Sequence, residues 1–190
     1  TLTKDGVVYY FIDNEYYFKR QGLYGHYDDG ERFAYFSKAI LEMLVNIDFT
    51  PDIIHTNDWQ TALVTLYINV YYRHMPKFYN TKTVLTIHNI QYQGQYGMDM
   101  VSGVLGIPNE YAHQLEYEGA CNFMKAGIEN SDKVTTVSPS YAQEILDPWY
   151  SHGLDPLLRE RQHKLWGILN GIDYVSYNPA EDKGIVANFT

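Results

Sequence analysis

Polar side chains that could bind a hydroxyl-rich ligand follow four short apolar runs of the sequence. They are Asn57 and Asp58, His88 and Asn89, Ser138, and Asn170 and Gly171, in that order along the chain. A carboxylate accepts hydrogen bonds from hydroxyl groups, whereas an amide or a neutral imidazole can both donate and accept them. Brought to one rim by the fold, these residues would form a site for a ligand with many hydroxyl groups.

Each of these residues also has a plain structural interpretation, which the sequence alone leaves open. Asp58 stands where a carboxylate can cap the first turn of a helix. A single histidine such as His88 is often structural, and the Asn170-Gly171 pair is typical of a tight turn. The functional interpretation therefore depends on whether the fold brings these residues together.

The runs that precede these residues predict a parallel sheet. Five short apolar or β-branched segments are predicted as buried strands: residues 7–12, 53–55, 83–87, 133–137 and 165–169. Segments with helical spacing lie between several of them, which is typical of an α/β fold with helices on both faces of the sheet. Ligands of such sheets bind outside the carboxyl ends of the strands, so we expect the polar residues to converge there.

Three helices and one loop complete this prediction. The clearest helix follows Gly30, with an apolar face of Phe33, Phe36, Ile40, Leu44 and Ile47 and with Arg32, Lys38 and Glu42 on other faces. A second helix is predicted over residues 58–73. A third begins at Ser138-Pro139, where the serine caps the helix and the proline takes its first position. Residues 89–106 are predicted as an irregular loop of the kind that often carries function.

Composition and charge exclude several classes of protein. A chain of 190 residues is long enough for one hydrophobic core, so a single domain is expected. The formal net charge is -9 and the 14 Lys and Arg residues are scattered, which argues against nucleic acid as a partner. No apolar run approaches the roughly 20 residues that span a bilayer, so no membrane partner is expected.

The common sequence patterns of cofactor and metal sites are missing. Cys121 is the only cysteine, which rules out a disulfide within the chain and fits a reducing, cytoplasmic compartment. The seven histidines form no metal-binding pattern, so no metal is expected. Dinucleotide-binding glycine motifs, a P-loop and a serine-hydrolase elbow are also missing, and no cofactor is expected.

Six segments, in order along the chain, together resemble one enzyme family. They are residues 27–33 (YDDGERF), 51–59 (PDIIHTNDW), 86–94 (TIHNIQYQG), 123–127 (FMKAG), 136–142 (TVSPSYA) and 168–173 (ILNGID). The loop at 88–94 and the turn at 169–173 are the most specific of these segments. The sequence is similar to the glycogen and starch synthases, which use a nucleotide-activated glucose.

This resemblance implies an architecture and an activity. The family has the GT-B fold, in which two Rossmann-like domains face each other across the cleft where sugar transfer takes place. Residues 1–190 would be a partial N-terminal domain without its first strand, loop and helix, and the C-terminal nucleotide-binding domain would lie outside the sequence. Family members transfer glucose from ADP-glucose to the non-reducing end of an α-1,4-glucan with retention of configuration and without an obligatory metal. ADP-glucose and the glucan are therefore the expected partners, the location is the cytoplasm or a plastid, and this chain alone is expected to be inactive.

The resemblance also assigns roles to individual residues. His88 and Asp58 are the expected catalytic residues. His88 would hydrogen-bond the donor glucose and stabilise positive charge that develops near the sugar ring, and Asp58 would orient sugar hydroxyls on the acceptor side. The expected substrate-binding residues are Tyr27, Asn89, Tyr92, Gln93, Asn170 and Gly171.

The sequence departs from the family pattern at several points. Many relatives have histidine at the positions of Asn57 and Gln60, so a role for imidazole there does not transfer. The family's Lys-x-Gly-Gly-Leu loop is not present, and neither are the C-terminal residues that hold the diphosphate. Two alternatives therefore stay open: a non-catalytic glucan-binding module, and a related transferase that uses UDP-glucose.

Overall fold

The computed structural model describes residues 1–190 and confirms the predicted α/β fold with a parallel sheet. The strands are β1 (Leu2–Lys4), β2 (Val7–Tyr9), β3 (Ile53–Asn57), β4 (Lys82–Ile87), β5 (Gln95–Tyr96), β6 (Glu116–Tyr117), β7 (Ala120–Asn122), β8 (Lys133–Thr136) and β9 (Leu165–Gly167). The α-helices are α1 (Glu15–Phe18), α2 (Asp29–Asn46), α3 (Asp58–Tyr67), α4 (Asp99–Gly103), α5 (Phe123–Asn130), α6 (Pro139–Glu144) and α7 (Asp155–Glu160). A π-helical segment (Ile68–Tyr72) follows α3, and 3-10 helices cover Pro76–Phe78, Asn109–Gln114 and Gln162–Lys164.

Four of the five predicted strands form the main sheet, in the order β3-β4-β8-β9. All three neighbouring pairs are parallel, and each new strand is added on the same side. Because crossovers between parallel strands are right-handed, this order places the connecting helices on one face. The packing there is close: a Cβ on Gly127 of α5 would lie 2.7 Å from Ala62 of α3 and 3.0 Å from Leu85 of β4.

The second face of the sheet is open. Ile53 on β3 and Trp166 on β9 are 60% and 58% exposed, whereas Leu85 on the covered face is fully buried. Helices were expected on both faces, and the described residues place them on one. Parallel sheets are normally covered on both faces, so an open face of this kind is unusual.

The prediction of a buried strand at residues 7–12 is wrong. Val7–Tyr9 pairs antiparallel with Leu2–Lys4 in a separate hairpin whose residues are all exposed. Asp5 and Gly6 join the two strands with positive φ angles of 51° and 78°. An Asp-Gly pair favours this two-residue hairpin turn. The apolar residues alone suggested a buried strand, but the local turn signal determines the structure of this segment.

The prediction for residues 89–106 is also partly wrong. This segment contains α4 and the short strand β5, which pairs with β7 in a second, three-stranded antiparallel sheet. Elements of two and five residues are too short to produce a detectable period. The loop is therefore ordered by pairing with a distant part of the chain.

The predicted helices are present. Helix α2 begins one residue before Gly30, and the predicted helix over 58–73 is α3 with its π-helical continuation. Helix α6 begins as predicted, since the Ser138 hydroxyl accepts a hydrogen bond from the Tyr141 amide at 2.9 Å and Pro139 is the first helical residue. None of the helices combines the length and the apolar character needed to cross a membrane.

Cys121 offers a direct test of the core. Its side chain is fully buried, and burial raises the pKa of the thiol to about 12. Because the thiolate is the reactive form, we expect iodoacetamide at about pH 8 to leave Cys121 unmodified in the folded chain and to modify it completely in denaturant. Mass spectrometry of alkylated samples measures both states. Equally fast modification of the folded and unfolded chains would contradict the packing around β7.

Candidate functional site

The carboxyl ends of β3 and β4 bring three of the predicted polar residues into contact. Asn57 ends β3, Asp58 begins α3, and His88 directly follows β4. The parallel register pairs Asn57 with Thr86, so His88 lies just beyond the end of β3. The predicted convergence at this edge of the sheet is therefore observed for these residues.

His88 is held at both its main chain and its ring. Its amide donates a hydrogen bond to Asp58 Oδ1 at 2.8 Å, and the Asn89 amide approaches the same oxygen at 3.4 Å. The ring nitrogen Nε2 lies 3.0 Å from Asn57 Oδ1. Both contacts come from the junction of β3 and α3, so this junction fixes the histidine loop.

Asp58 adopts a backbone conformation that few residues tolerate. Its φ angle is +53°, in the left-handed region, which asparagine and aspartate enter more readily than other non-glycine residues. Its carboxylate does not cap α3 but binds the amides that follow β4. Oδ2 makes no hydrogen bond within the chain, which leaves one carboxylate oxygen available to a ligand. The structural interpretation of Asp58 as a helix cap is therefore not observed.

Two substitutions at Asp58 separate the strain from the hydrogen bonds. Asp58→Ala removes the carboxylate and places alanine at positive φ, and we expect it to lower the free energy of unfolding by about 2 to 3 kcal/mol. Asp58→Gly removes the same hydrogen bonds but tolerates the backbone, so the expected loss is about 1 kcal/mol. Urea unfolding of both variants measures the difference. A glycine variant that is no more stable than the alanine variant would contradict the strain.

A cavity of about 280 Å³ contains His88, Asn170 and Gly171 on its walls. We call it the sheet-end cavity. Its lining also includes hydroxyl and imidazole groups of the open sheet face, joined by hydrogen bonds of 2.6 Å between His55 Nε2 and Thr86 Oγ1 and between the Thr86 and Thr135 hydroxyls. The carboxyl ends of β4 and β9 thus supply a cavity next to the anchored histidine, lined by these polar groups together with apolar side chains such as Ile168 and Leu169.

A cleft of about 470 Å³ contains Asp58, Asn89 and Tyr92. We call it the Asp58 cleft. Tyr24 and Asp29 also line this cleft, although no sequence pattern indicated a site at either residue. Tyr92 is 60% exposed at the rim, where an aromatic ring can stack on an apolar face of a ligand.

Asp29 holds the turn that borders the Asp58 cleft. Its Oδ2 accepts hydrogen bonds from the amides of Gly25 at 2.6 Å and His26 at 3.1 Å, and Oδ1 pairs with Arg32. Arg32 lies off the apolar face of α2, as predicted, but it is 2% exposed. The carboxylate of Asp29, three residues earlier, pairs with this guanidinium and allows it to be buried.

Gln93, a predicted substrate-binding residue, is held by protein groups. It is 6% exposed, and its Oε1 accepts hydrogen bonds from Gln95 at 3.0 Å and Asn122 at 2.8 Å. Its Nε2 donates to the His152 carbonyl at 3.0 Å. Because the amide is buried and bonded to protein groups, Gln93 joins the loop after β4 to the start of α5 and to the segment before α7.

Tyr27 lies apart from both spaces. It is 93% exposed in the turn before α2 and lines neither the sheet-end cavity nor the Asp58 cleft. Its predicted role in substrate binding stays a prediction. No group of three or more His, Cys, Asp or Glu side chains is arranged to hold a metal ion.

Comparisons with known proteins place the chain in a family. Residues 1–160 match the family model described as the starch synthase catalytic domain. Glycogen synthases of Exiguobacterium sibiricum and Desulforamulus reducens are 48% and 52% identical over 99% and 100% of this chain, which corresponds to 40% of each relative. The catalytic domain of starch synthase IV from Arabidopsis thaliana, solved with ADP and acarbose bound, superimposes with a TM-score of 0.73 and 39% identity over 87% of this chain and 34% of that chain.

These matches cover nearly all of this chain but less than half of each relative. The chain spans about 40% of the length of the glycogen synthases it matches. The likeness is nevertheless continuous over the segments that form the sheet-end cavity and the Asp58 cleft, because the match to the Desulforamulus protein extends over the whole chain. The chain belongs to the family of starch synthase catalytic domains.

Proposed function

We propose that this chain is part of a glycogen or starch synthase and that the longer protein transfers glucose from ADP-glucose to the non-reducing end of an α-1,4-glucan with retention of configuration. The observation that carries the proposal is the position of His88, anchored by Asp58 and Asn57 beside the sheet-end cavity. Ligands of parallel α/β sheets bind at this edge. ADP and acarbose, bound in the related Arabidopsis domain, support the two proposed partners.

The sheet-end cavity and the Asp58 cleft suit different substrates of the reaction. The sheet-end cavity, at about 280 Å³, is at the small end of ligand pockets and suits a single sugar ring. We assign it to the donor glucose, with His88 and Asn170 as hydrogen-bonding groups. The Asp58 cleft, at about 470 Å³, suits the acceptor glucan, with Asp58 Oδ2, Asn89 and Tyr92 available to its hydroxyls and ring faces. Asp58 links the two spaces because its other oxygen holds the main chain of His88.

The proposed protein has a second domain and additional elements in the first. Residues 1–190 form a partial N-terminal domain in this proposal, and a C-terminal nucleotide-binding domain completes the GT-B architecture. Support comes from the open sheet face, where Ile53 and Trp166 are more than half exposed, and from the greater length of the relatives. The further strand of the family domain would extend the sheet at its edge, and the further helix would cover this face. A cytoplasmic or plastid location is part of the same proposal.

A transfer assay tests the proposed function. The longer protein is incubated with ADP-glucose carrying labelled glucose and with a maltooligosaccharide, and the labelled glucan is measured. The 190-residue chain is assayed beside it and is expected to be inactive, because stabilisation of the transition state needs both walls of the cleft. Transfer from UDP-glucose alone would replace the proposal with a related transferase. Glucan binding without transfer from either donor would replace it with a binding module.

A further inference from the structure

We propose that Asn57 is a positioning residue that selects the tautomer and the orientation of the His88 ring. The observation is the contact of 3.0 Å between Asn57 Oδ1 and His88 Nε2. This inference rests on the proposed function, because it concerns how His88 meets a sugar. It adds a residue that the resemblance to the synthases did not assign.

The chemistry of the contact determines where the ring carries its proton. An amide oxygen accepts hydrogen bonds and cannot donate them. Nε2 of His88 must therefore carry the hydrogen in this contact, and Nδ1 of the neutral ring is left with a lone pair. Nδ1 makes no hydrogen bond within the chain, so a ligand hydroxyl can donate to it.

The backbone of Asn57 is fixed, which makes its side chain a defined anchor. The Asn57 amide donates to Thr61 Oγ1 at 2.7 Å, and the same hydroxyl donates to the Asn57 carbonyl at 2.8 Å. Asn57 is also the last residue of β3, paired with Thr86 of β4. The register of the sheet sets the position of Asn57, and Asp58 holds the His88 amide. His88 is therefore held at two points, its main-chain amide and its ring.

The two hydrogen bonds to His88, one at its amide and one at its ring, reduce the reorganisation that the histidine undergoes when a ligand binds. A site is effective when its donors and acceptors already point at the ligand before it arrives. Without Asn57, the ring can exchange the positions of its proton and lone pair and can rotate. A fraction of the molecules would then present an N–H group to a ligand hydroxyl that needs an acceptor.

The tautomer can be measured directly in the 190-residue chain. The nitrogen chemical shifts of a ¹⁵N-labelled imidazole distinguish a protonated from an unprotonated ring nitrogen, and a His88→Gln variant assigns the His88 signals. At an alkaline pH chosen so that both ring shifts no longer change with pH, we expect a single tautomer with the proton on Nε2. In Asn57→Ala the two shifts should move toward each other, whereas Asn57→Asp keeps an oxygen acceptor and should retain the original pattern.

Two controls separate this effect from a general disturbance. Asn80 is exposed and its side chain makes no hydrogen bond, so Asn80→Ala should leave the His88 shifts unchanged. An amide spectrum close to that of the parent chain shows that a variant has kept its fold, and the position of the proton in the parent chain tests the inference even if Asn57→Ala unfolds. Unchanged His88 shifts in a folded Asn57→Ala variant, or a proton on Nδ1 in the parent chain, would overturn the inference.

The activity of the longer protein gives an independent readout. Loss of one hydrogen bond of about 1.5 kcal/mol corresponds to a fall of roughly tenfold in kcat for Asn57→Ala, with little change in KM for the glucan and recovery in Asn57→Asp. A parent protein that transfers no glucose would refute the proposed function and leave the tautomer result standing. A kcat that stays unchanged in Asn57→Ala, in a protein that does transfer glucose, would refute only the role of Asn57.

Discussion

Replacement of His88 by alanine is expected to lower glucose transfer by the longer protein by about 10² to 10³-fold. The ring lies on the wall of the sheet-end cavity with Asn170, and it supplies an acceptor whose position is set before the ligand binds. The fold should survive the change. His88 is exposed, and the bond from its main-chain amide to Asp58 does not involve its side chain.

A matched control for this experiment is His74→Ala. His74 is also exposed and lies just after the π-helical segment that continues α3. Asp58 lies at the other end of α3. Initial rates of transfer are measured for both variants, together with the temperature of unfolding. The expected result is a large loss of rate for His88→Ala alone, with similar unfolding temperatures for all three proteins. Near-normal transfer by His88→Ala would contradict the assignment of this residue.

The sequence was sufficient to predict the sheet because its signals are periodic or local. Four apolar runs between helical segments specify parallel strands, and the residues after those strands are then fixed at one edge. His88 and Asp58 could therefore be placed together before any coordinates were known. The start of α6 could also be predicted, since a serine that caps a helix and a proline at its first position are a local signal within one helical turn.

Pairings between distant residues could not be predicted from the sequence. The bonds of the Gln93 amide to Asn122 and to the His152 carbonyl are an example. These partners are 29 and 59 residues away, and nothing in the local pattern identifies them. The choice between a ligand and a protein partner for such an amide is a matter of tertiary packing.

The predicted role of Asp58 shows the same limit in a milder form. Its position at the end of a strand indicated a role either in capping α3 or in binding a ligand. One carboxylate oxygen spans two strand ends and accepts hydrogen bonds from the amides of His88 and Asn89, and the other oxygen is left for a ligand. A strand end pairs with groups from the neighbouring strand, so the sequence of one strand end alone does not reveal this contact.

Replacement of Gly167 by alanine should cause a large loss of stability. Gly167 is the last residue of β9, and a Cβ there would lie 2.5 Å from the Pro139 nitrogen and closer still to the Ser138 carbonyl oxygen. Both atoms belong to the backbone at the start of α6, which Ser138 caps. Relief of the clash would separate β9 from α6 or disturb the pairing of Gly167 with Thr136. We therefore expect the free energy of unfolding to fall by about 3 kcal/mol.

The same change should reach the site, because the four residues after Gly167 lead into the wall of the sheet-end cavity that contains Asn170 and Gly171. A shift of β9 would move both residues away from His88. Gly103→Ala is the matched control: it adds one methyl group at the end of α4, where nothing lies within 4 Å, and it should be neutral or stabilise by about 0.5 kcal/mol. Urea unfolding of the two variants measures the contrast. If Gly167→Ala were as stable as Gly103→Ala, then β9 would not be held against α6, and the placement of Asn170 beside His88 would lose its structural basis.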